Sequence, residues 1–215
     1  MVSFGPRRRS GCECALPMKL ICFREHMVIL AIIGGKTYHI DVGFANFGTL
    51  SPLLLEEGAT VACVPGLEAR LARRTIPDNV TEQKLWIFET RDSHSNTWKN
   101  GYCFGETEFL PLDFATLNFR TMRDPSSWFT TTFILTRVLL DETGPDSEDK
   151  KAVGTLTLMG DTLQKRVDGG ESEVILVCKS ETDRIATLEK WFNVILNGEE
   201  QEAIRGVASE IKPQN

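Results

Sequence analysis

A histidine and an aspartate flank a predicted β-hairpin near the start of the chain. His26 opens an apolar, β-branched run, Gly34-Gly35 is a two-residue turn signal, and an alternating run ends at Asp41. Pairing about this turn places Asp41 opposite Val28, with His26 one pleat further on the same face. A carboxylate there can orient the imidazole through one ring nitrogen and leave the other as a general base. The periodicity alone favours an alternative without catalysis, in which His26 is half-exposed and Asp41 caps a turn.

The remaining pattern predicts an α+β fold in which strands come first and helices last. We expect an irregular arm at 1–23, an antiparallel β-barrel at 24–110, an interdomain segment at 111–127, and a lid of sheet plus helices at 128–215. The further strands are predicted at 85–90, 97–104, 129–140, 154–159 and 173–178. Helices are predicted at 112–119, after a capping box that begins at Ser180, and at 199–211.

The composition of the 215 residues narrows the class of function. A net charge of −6 argues against a general nucleic-acid-binding surface. No apolar run reaches the ~18 residues of a membrane span, so we expect a soluble, cytoplasmic protein without a membrane partner. The three histidines are scattered and Cys12-x-Cys14 has the wrong spacing for zinc, so no metal is expected.

Several motifs together resemble one protein family. The string HMV at 26–28, followed by YHIDVGF at 38–44, resembles the arylamine N-acetyltransferases, in which a strand-borne histidine precedes the aspartate of a D-x-G-F motif. Further likeness lies in FGETEF at 104–109, in the segment 112–119, and in DPSSWFT at 124–130, which resembles the family's S-P-S-S-x-F-T stretch. The segments 154–156, 179–192 and 204–206 resemble the lid domain of the family's fungal branch. The resemblance covers residues 24–211 in unbroken order.

The resemblance implies a fold and a chemistry. The fold is that of the cysteine-protease-like superfamily, and the chemistry is acetyl transfer from acetyl-CoA to an aromatic amine or hydrazine through a Cys-His-Asp triad. His26 and Asp41 would supply the base and its orienting carboxylate, and Gly43-Phe44 the acyl pocket. Ala45 stands where the family usually has glycine, which would narrow that pocket.

The resemblance also implies cofactor contacts in the interdomain segment. Ser126, Ser127 and Thr130 would contact CoA, although serines here can equally cap a helix. Arg120 stands where the family has an aromatic residue, and either pairs with a phosphate or is solvated. A basic run at 70–74 either steers an anionic cofactor or lies on a solvated face.

The nucleophile is the main departure from the family. In the family, the nucleophilic cysteine lies in an R-G-G-x-C-x-E-x-N motif, in an N-terminal helical domain some forty residues before the histidine. This chain has only 25 residues before His26. Cys12, in RSGCE, is a partial match and a possible relocated nucleophile. Cys22 is closer to His26 but has apolar neighbours, which favours a buried thiol. The favoured interpretation is that the N-terminal domain is missing, through truncation or a misplaced gene start.

Two classes of function therefore stand. The first is an arylamine N-acetyltransferase or a homologue that uses a related acyl-CoA. The second is a catalytically inactive truncated homologue with at most residual CoA binding, and a cysteine hydrolase with the same triad is a weaker third. The amine, the length of the acyl group and the oligomeric state are not encoded in any recognisable motif.

Overall fold

The computed structural model describes residues 26–77, 80–141 and 150–212. These residues form a mixed α+β fold with antiparallel sheets and few helices, as predicted. The strands are β1 Ile29–Ile33, β2 Lys36–Ile40, β3 Leu53–Leu54, β4 Thr60–Ala62, β5 Leu67–Arg74, β6 Leu85–Asp92, β7 Lys99–Phe104, β8 Ile134–Leu140, β9 Ala152–Met159, β10 Thr162–Val167 and β11 Glu173–Val177. The helices are α1 Pro111–Arg123, α2 Trp128–Thr131, α3 Glu181–Thr187 and α4 Gly198–Glu202.

The first hairpin has the predicted register. β1 and β2 pair about Gly34 and Gly35, with Ile29 opposite Ile40 and Ile33 opposite Lys36. Both glycines have positive φ, 59° and 76°, which is the backbone of the two-residue hairpin turns that favour glycine. The register fixes which residues of β2 face inward, and it directs His39 into the interior.

The described residues do not show the predicted antiparallel barrel as a closed sheet. Strands β1–β3 form a three-stranded sheet, and β4–β7 form a separate four-stranded sheet. Among the described residues, the two edge strands of each sheet are not paired with each other, so neither sheet is closed. One isolated bridge, Thr49 to Cys63, links the two. The sheets share an apolar core that contains Leu53 of the first and Leu71 and Phe88 of the second, so side-chain packing holds them together. The sequence pattern did not reveal β5, the long inner strand of the second sheet.

The C-terminal sheet has the order β11-β10-β9-β8, and the helical turn Leu188–Phe192, which follows α3, packs against its core through Leu188, Trp191 and Phe192. Two predicted boundaries are wrong. The strand predicted from residue 129 begins at Ile134, because residues 128–131 form a helical turn after Ser127. The helix predicted over 199–211 ends at Glu202, and Asn197 caps its start.

Close backbone contact joins the second sheet to the C-terminal sheet. A Cβ atom on Gly66 would lie 2.3 Å from the Cα of Gly169, and both residues have positive φ. Thr157 of β9 donates to the side-chain oxygen of Asn46 at 2.8 Å. Asn46 lies in the 3-10 turn Ala45–Phe47, so the C-terminal sheet contacts the turn that directly follows the D-x-G-F motif.

No helix among the described ranges has the length and apolar character needed to cross a membrane.

Candidate active site

The side chains of His26 and Asp41 form the predicted hydrogen bond. Nε2 of His26 lies 2.7 Å from Oδ2 of Asp41, whose side chain is 2% exposed while that of His26 is 24% exposed. An ionised carboxylate can only accept, so Nε2 carries the proton and donates it to Asp41. Nδ1 of His26 has no hydrogen-bond partner among the described residues, which leaves its lone pair available as a base.

Asp41 is held by three donors from three different parts of the chain. Its Oδ1 accepts the backbone N–H of Gly43 at 2.8 Å, and its Oδ2 also accepts the hydroxyl of Tyr102 at 2.6 Å. Burial raises the pKa of Asp41, but the hydrogen bonds from His26, Tyr102 and Gly43 outweigh burial and hold that pKa below its ordinary value. Asp41 therefore stays charged and orients the His26 ring.

Tyr102 and His39 complete this cluster, and sequence reasoning missed both. The Tyr102 hydroxyl lies 2.8 Å from Nε2 of His39, which is fully buried. Burial lowers the pKa of His39 to about 4, and burial together with the neighbouring Asp41 raises the pKa of Tyr102 far above its ordinary value. Both groups are therefore neutral near pH 7. The alternation of β2 could have indicated that His39 faces inward, but no local signal points to Tyr102.

Aromatic rings surround the cluster. Phe44 contacts His26 edge-on, with 5.5 Å between ring centroids, and Tyr102 stacks on Phe88 at 4.9 Å. A Cβ atom on Gly43 would lie 3.6 Å from Oδ1 of Asp41 and 3.9 Å from the His26 ring. The two residues predicted to form the acyl pocket thus lie directly beside the pair.

A cavity of about 620 Å³ opens next to His26. Strand β1, the segment 103–109 and helix α1 enclose it. Its lining is mainly apolar and aromatic, with Phe104, Phe109 and Phe114 among the residues, and it includes the side chains of Glu106 and Glu108. A volume of this size accommodates a small organic molecule.

The structure does not show a reactive thiol beside His26. Both candidates, Cys12 and Cys22, lie outside the described residues. Two described cysteines are free thiols: Cys63 is buried and burial raises its pKa to about 12, while Cys178 is buried in the C-terminal sheet region beside Thr187. A thiol with so high a pKa remains protonated, so Cys63 is not a nucleophile near neutral pH.

The predicted cofactor residues lie elsewhere, around the junction of α1 and α2. Ser126 donates through both its backbone N–H and its hydroxyl to Oδ1 of Asp124, at 2.9 and 2.6 Å. Thr130 donates to the backbone oxygens of Asp124 and Ser127, and Arg120 pairs with Asp124 at 3.9 Å. None of these residues belongs to the lining of the cavity beside His26.

The arginines of the basic run at 70–74 are paired with carboxylates, and Arg73 and Arg74 are also exposed to solvent. Arg70 and Arg74 of β5 both pair with Glu89 of the neighbouring strand, whose side chain is 3% exposed. Arg73 pairs with Glu106 at 3.4 Å. The three charges therefore pair with carboxylates, Glu89 within the second sheet and Glu106 just after its last strand. Within the same described ranges, no group of three or more His, Cys, Asp or Glu side chains is placed to hold a metal ion.

Comparison with known proteins identifies the family of this chain. The sequence profile of a family described as N-acetyltransferase matches residues 17–201. The chain belongs to this family. It is 31% identical over 191 residues to the N-malonyltransferase FDB2 of Gibberella moniliformis and 31% identical over 190 residues to that of Fusarium pseudograminearum. Each match covers 84% of this chain and 53% of the relative, so the chain spans about half the length of these curated relatives.

Solved N-acetyltransferase structures share the fold. The arylamine N-acetyltransferase of Salmonella typhimurium superimposes with a TM-score of 0.62 at 22% identity, covering 84% of this chain and 60% of that one. The Mycobacterium abscessus enzyme gives 0.65 at 19% identity, covering 82% and 56%. The Mycobacterium marinum enzyme, in complex with CoA, gives 0.61 at 21% identity, covering 83% and 59%.

Proposed function

We propose that this chain carries the histidine–aspartate part of the active site of an acyl-CoA-dependent N-acyltransferase. The observation that carries the proposal is the 2.7 Å hydrogen bond from Nε2 of His26 to a charged, buried Asp41. It leaves Nδ1 of His26 as the base for a thiol. Membership of the N-acetyltransferase family supports the same assignment.

The proposed reaction has two acyl transfers. His26 accepts the proton of a cysteine thiol, and the thiolate attacks the thioester carbonyl of acyl-CoA. The carbon–sulfur bond to CoA breaks, and the departing CoA thiolate takes the proton from His26. An amine nitrogen then attacks the acyl-cysteine, loses a proton to His26, and leaves as an amide while the cysteine is released. Asp41 keeps the His26 ring in the required tautomer throughout.

The cysteine lies outside the described residues in this proposal. Cys12 remains the first candidate within the printed sequence and Cys22 the second. A segment that corresponds to the longer part of the relatives is the alternative source, since the match covers 53% of their length.

The cavity supports acetyl as the acyl group and an aromatic amine or hydrazine as the acceptor. Among the described residues its lining holds the carboxylates of Glu106 and Glu108 and no lysine or arginine, so it offers no lysine or arginine as a partner for a malonyl carboxylate. Phe104, Phe109 and Phe114 offer ring faces and edges to an aromatic acceptor. Malonyl transfer, named in the FDB2 relatives, is the competing donor chemistry.

We also propose that the junction of α1 and α2 contacts the CoA moiety, through Arg120, Ser126, Ser127 and Thr130. The support is the match of DPSSWFT at 124–130 to the family motif together with the exposure of this segment. The hydroxyls of Ser126 and Thr130 already donate to Asp124, so their remaining capacity is to accept hydrogen bonds.

Mass spectrometry after incubation with acetyl-CoA or malonyl-CoA tests the function. We expect one acyl adduct on a cysteine, with acetyl-CoA the better donor, lost in His26→Ala and retained in His94→Ala, an exposed histidine. An adduct that survives His26→Ala would refute the role of His26, and faster labelling by malonyl-CoA would reassign the donor. The absence of any adduct would favour the second function, a homologue without turnover, whose CoA binding calorimetry would then measure.

A further inference from the structure

The Tyr102 hydroxyl contacts two possible acceptors but has one proton to donate. Its oxygen lies 2.6 Å from Oδ2 of Asp41 and 2.8 Å from Nε2 of His39. Asp41 is a carboxylate and can only accept, so the hydroxyl proton points to Asp41. Nε2 of His39 must then carry a proton and donate it to the Tyr102 oxygen. The bonds form one directed chain from His39 through Tyr102 to Asp41, the same oxygen that accepts from His26.

The surroundings of His39 are energetically unfavourable for an imidazole. The ring is fully buried, with the Phe88 ring 5.6 Å away and the Phe104 ring 5.0 Å away, both stacked on it. Its Nδ1 has no hydrogen-bond partner among the described residues. A buried polar atom without a partner costs stability, and a leucine would fill such a site without that cost. Within the described ranges, the hydrogen bond to Tyr102 is the one that this ring makes to another side chain.

We propose that His39 is a positioning residue, which acts on the histidine–aspartate pair by holding the Tyr102 hydroxyl proton toward Asp41. With that proton fixed, Oδ2 of Asp41 receives two donors in a defined geometry, and the His26 ring is held in the Nε2–H tautomer. Hydrogen bonds in such a chain polarise one another, so the loss of the first weakens the next. The inference rests on the proposed roles of His26 and Asp41.

The ionisable groups around this chain are few. Asp41 and His26 act electrostatically on His39, and Asp41 and Cys63 act on Tyr102. Cys63 stays protonated because burial raises its pKa to about 12. The charge on Asp41 is therefore the one that sets the direction of the chain near neutral pH.

The tautomer of His39 tests the direction without any turnover. In a long-range 15N–1H correlation spectrum of the wild-type protein near neutral pH, we expect the His39 ring protonated at Nε2 and unprotonated at Nδ1. An Nδ1–H ring would make Nε2 an acceptor and would overturn the proposal. Because this measurement needs neither substrate nor nucleophile, its result is independent of whether the proposed function holds.

Paired variants test the positioning role. His39→Leu keeps an apolar side chain of similar size and should slow formation of the acyl-cysteine from acetyl-CoA about tenfold, the effect of losing one hydrogen bond. His39→Gln, whose amide N–H can reach Tyr102, should restore most of the rate, whereas His94→Leu should leave it unchanged. In Tyr102→Phe, the further change His39→Leu should have no added effect. Equal rates for His39→Leu and wild type, or equal losses in the leucine and glutamine variants, would overturn the role.

Discussion

Two aspartates of this chain, Asp41 and Asp124, form the same kind of local turn but differ in burial and in their other hydrogen-bond partners. Oδ1 of Asp41 accepts the backbone N–H of Gly43 at 2.8 Å, and Oδ1 of Asp124 accepts that of Ser126 at 2.9 Å. In both cases the pKa is lowered by hydrogen bonds. The Asp41 side chain is 2% exposed, while that of Asp124 is 34% exposed.

The difference lies in what else each carboxylate must satisfy. Asp124 ends helix α1, and its partners come from residues within a few positions along the chain, including Ser126 and Arg120. Asp41 accepts in addition from His26 and from Tyr102, 15 and 61 residues away. At the surface, water can replace the hydrogen-bond partners of a carboxylate whose partners are all local. A buried carboxylate depends on partners that the whole fold supplies, which is how a site with defined geometry arises.

Removal of Asp41 should have the largest effect on stability. Asp41→Ala leaves the Tyr102 hydroxyl and the Gly43 N–H without their acceptor in a buried site, and we expect a loss of about 4 kcal/mol in the free energy of unfolding. Urea denaturation measures it. Asp124→Ala is the matched control, and its midpoint should stay close to that of the wild type. Equal losses in the two variants would show that the local turn, rather than burial, makes Asp41 important.

Acid should destabilise the buried cluster through His39. The pKa of His39 falls from 6.5 to about 4 on folding, because burial disfavours the charged ring. Between these values the unfolded chain binds a proton that the folded protein does not, so stability falls as the pH falls through about 6.5 to 4, by about 3 kcal/mol in total. Denaturation at a series of pH values measures this slope.

His39→Leu provides the control for that slope. The variant has no ring to protonate, so its stability should be nearly flat between about pH 6.5 and 4. The pKa of Asp41 is also lowered on folding, so both proteins should lose stability further as Asp41 becomes protonated at lower pH. An equal slope in both proteins across the upper window would contradict the assignment to His39.

Tyr102→Phe should have an intermediate effect. The variant removes one donor from Asp41 and leaves the Nε2–H of buried His39 without an acceptor, for an expected loss of about 2 kcal/mol. Tyr38→Phe is the matched control, because Tyr38 is half-buried on β2, next to His39, and is the other tyrosine of the chain. A smaller loss in Tyr102→Phe than in Tyr38→Phe would show that the hydroxyl chain contributes nothing to the fold.

The smallest effects are expected in the surface cluster around Asp124. Arg120→Ala should weaken CoA binding about threefold, the size typical of one exposed charge contact, with little change in stability. Thr130→Val, which removes a hydroxyl already donating to Asp124, should change binding less. Calorimetric titration with CoA measures both, and Arg205→Ala, which removes an exposed arginine paired with Glu202, is the control. If the control weakens binding as much as Arg120→Ala, the proposed contact is wrong.

The sequence by itself determined the local geometry of the site. Gly34-Gly35 fixes a two-residue turn, the turn fixes the register of β1 on β2, and that register places His26 within reach of Asp41. These steps depend on backbone preferences and on the two-residue period of a strand, which operate over a few residues. The helix cap at Ser180 could be recognised for the same reason.

The tertiary structure decided which of the local features became a site. Tyr102 lies 63 residues from His39 and 61 from Asp41, and no local pattern brings them together. The same holds for the pairing of Arg70 and Arg74 with Glu89, and for two open sheets in place of a closed barrel. These features follow from which apolar faces pack in one core and from the need to satisfy each polar group buried with them, and both are properties of the whole chain.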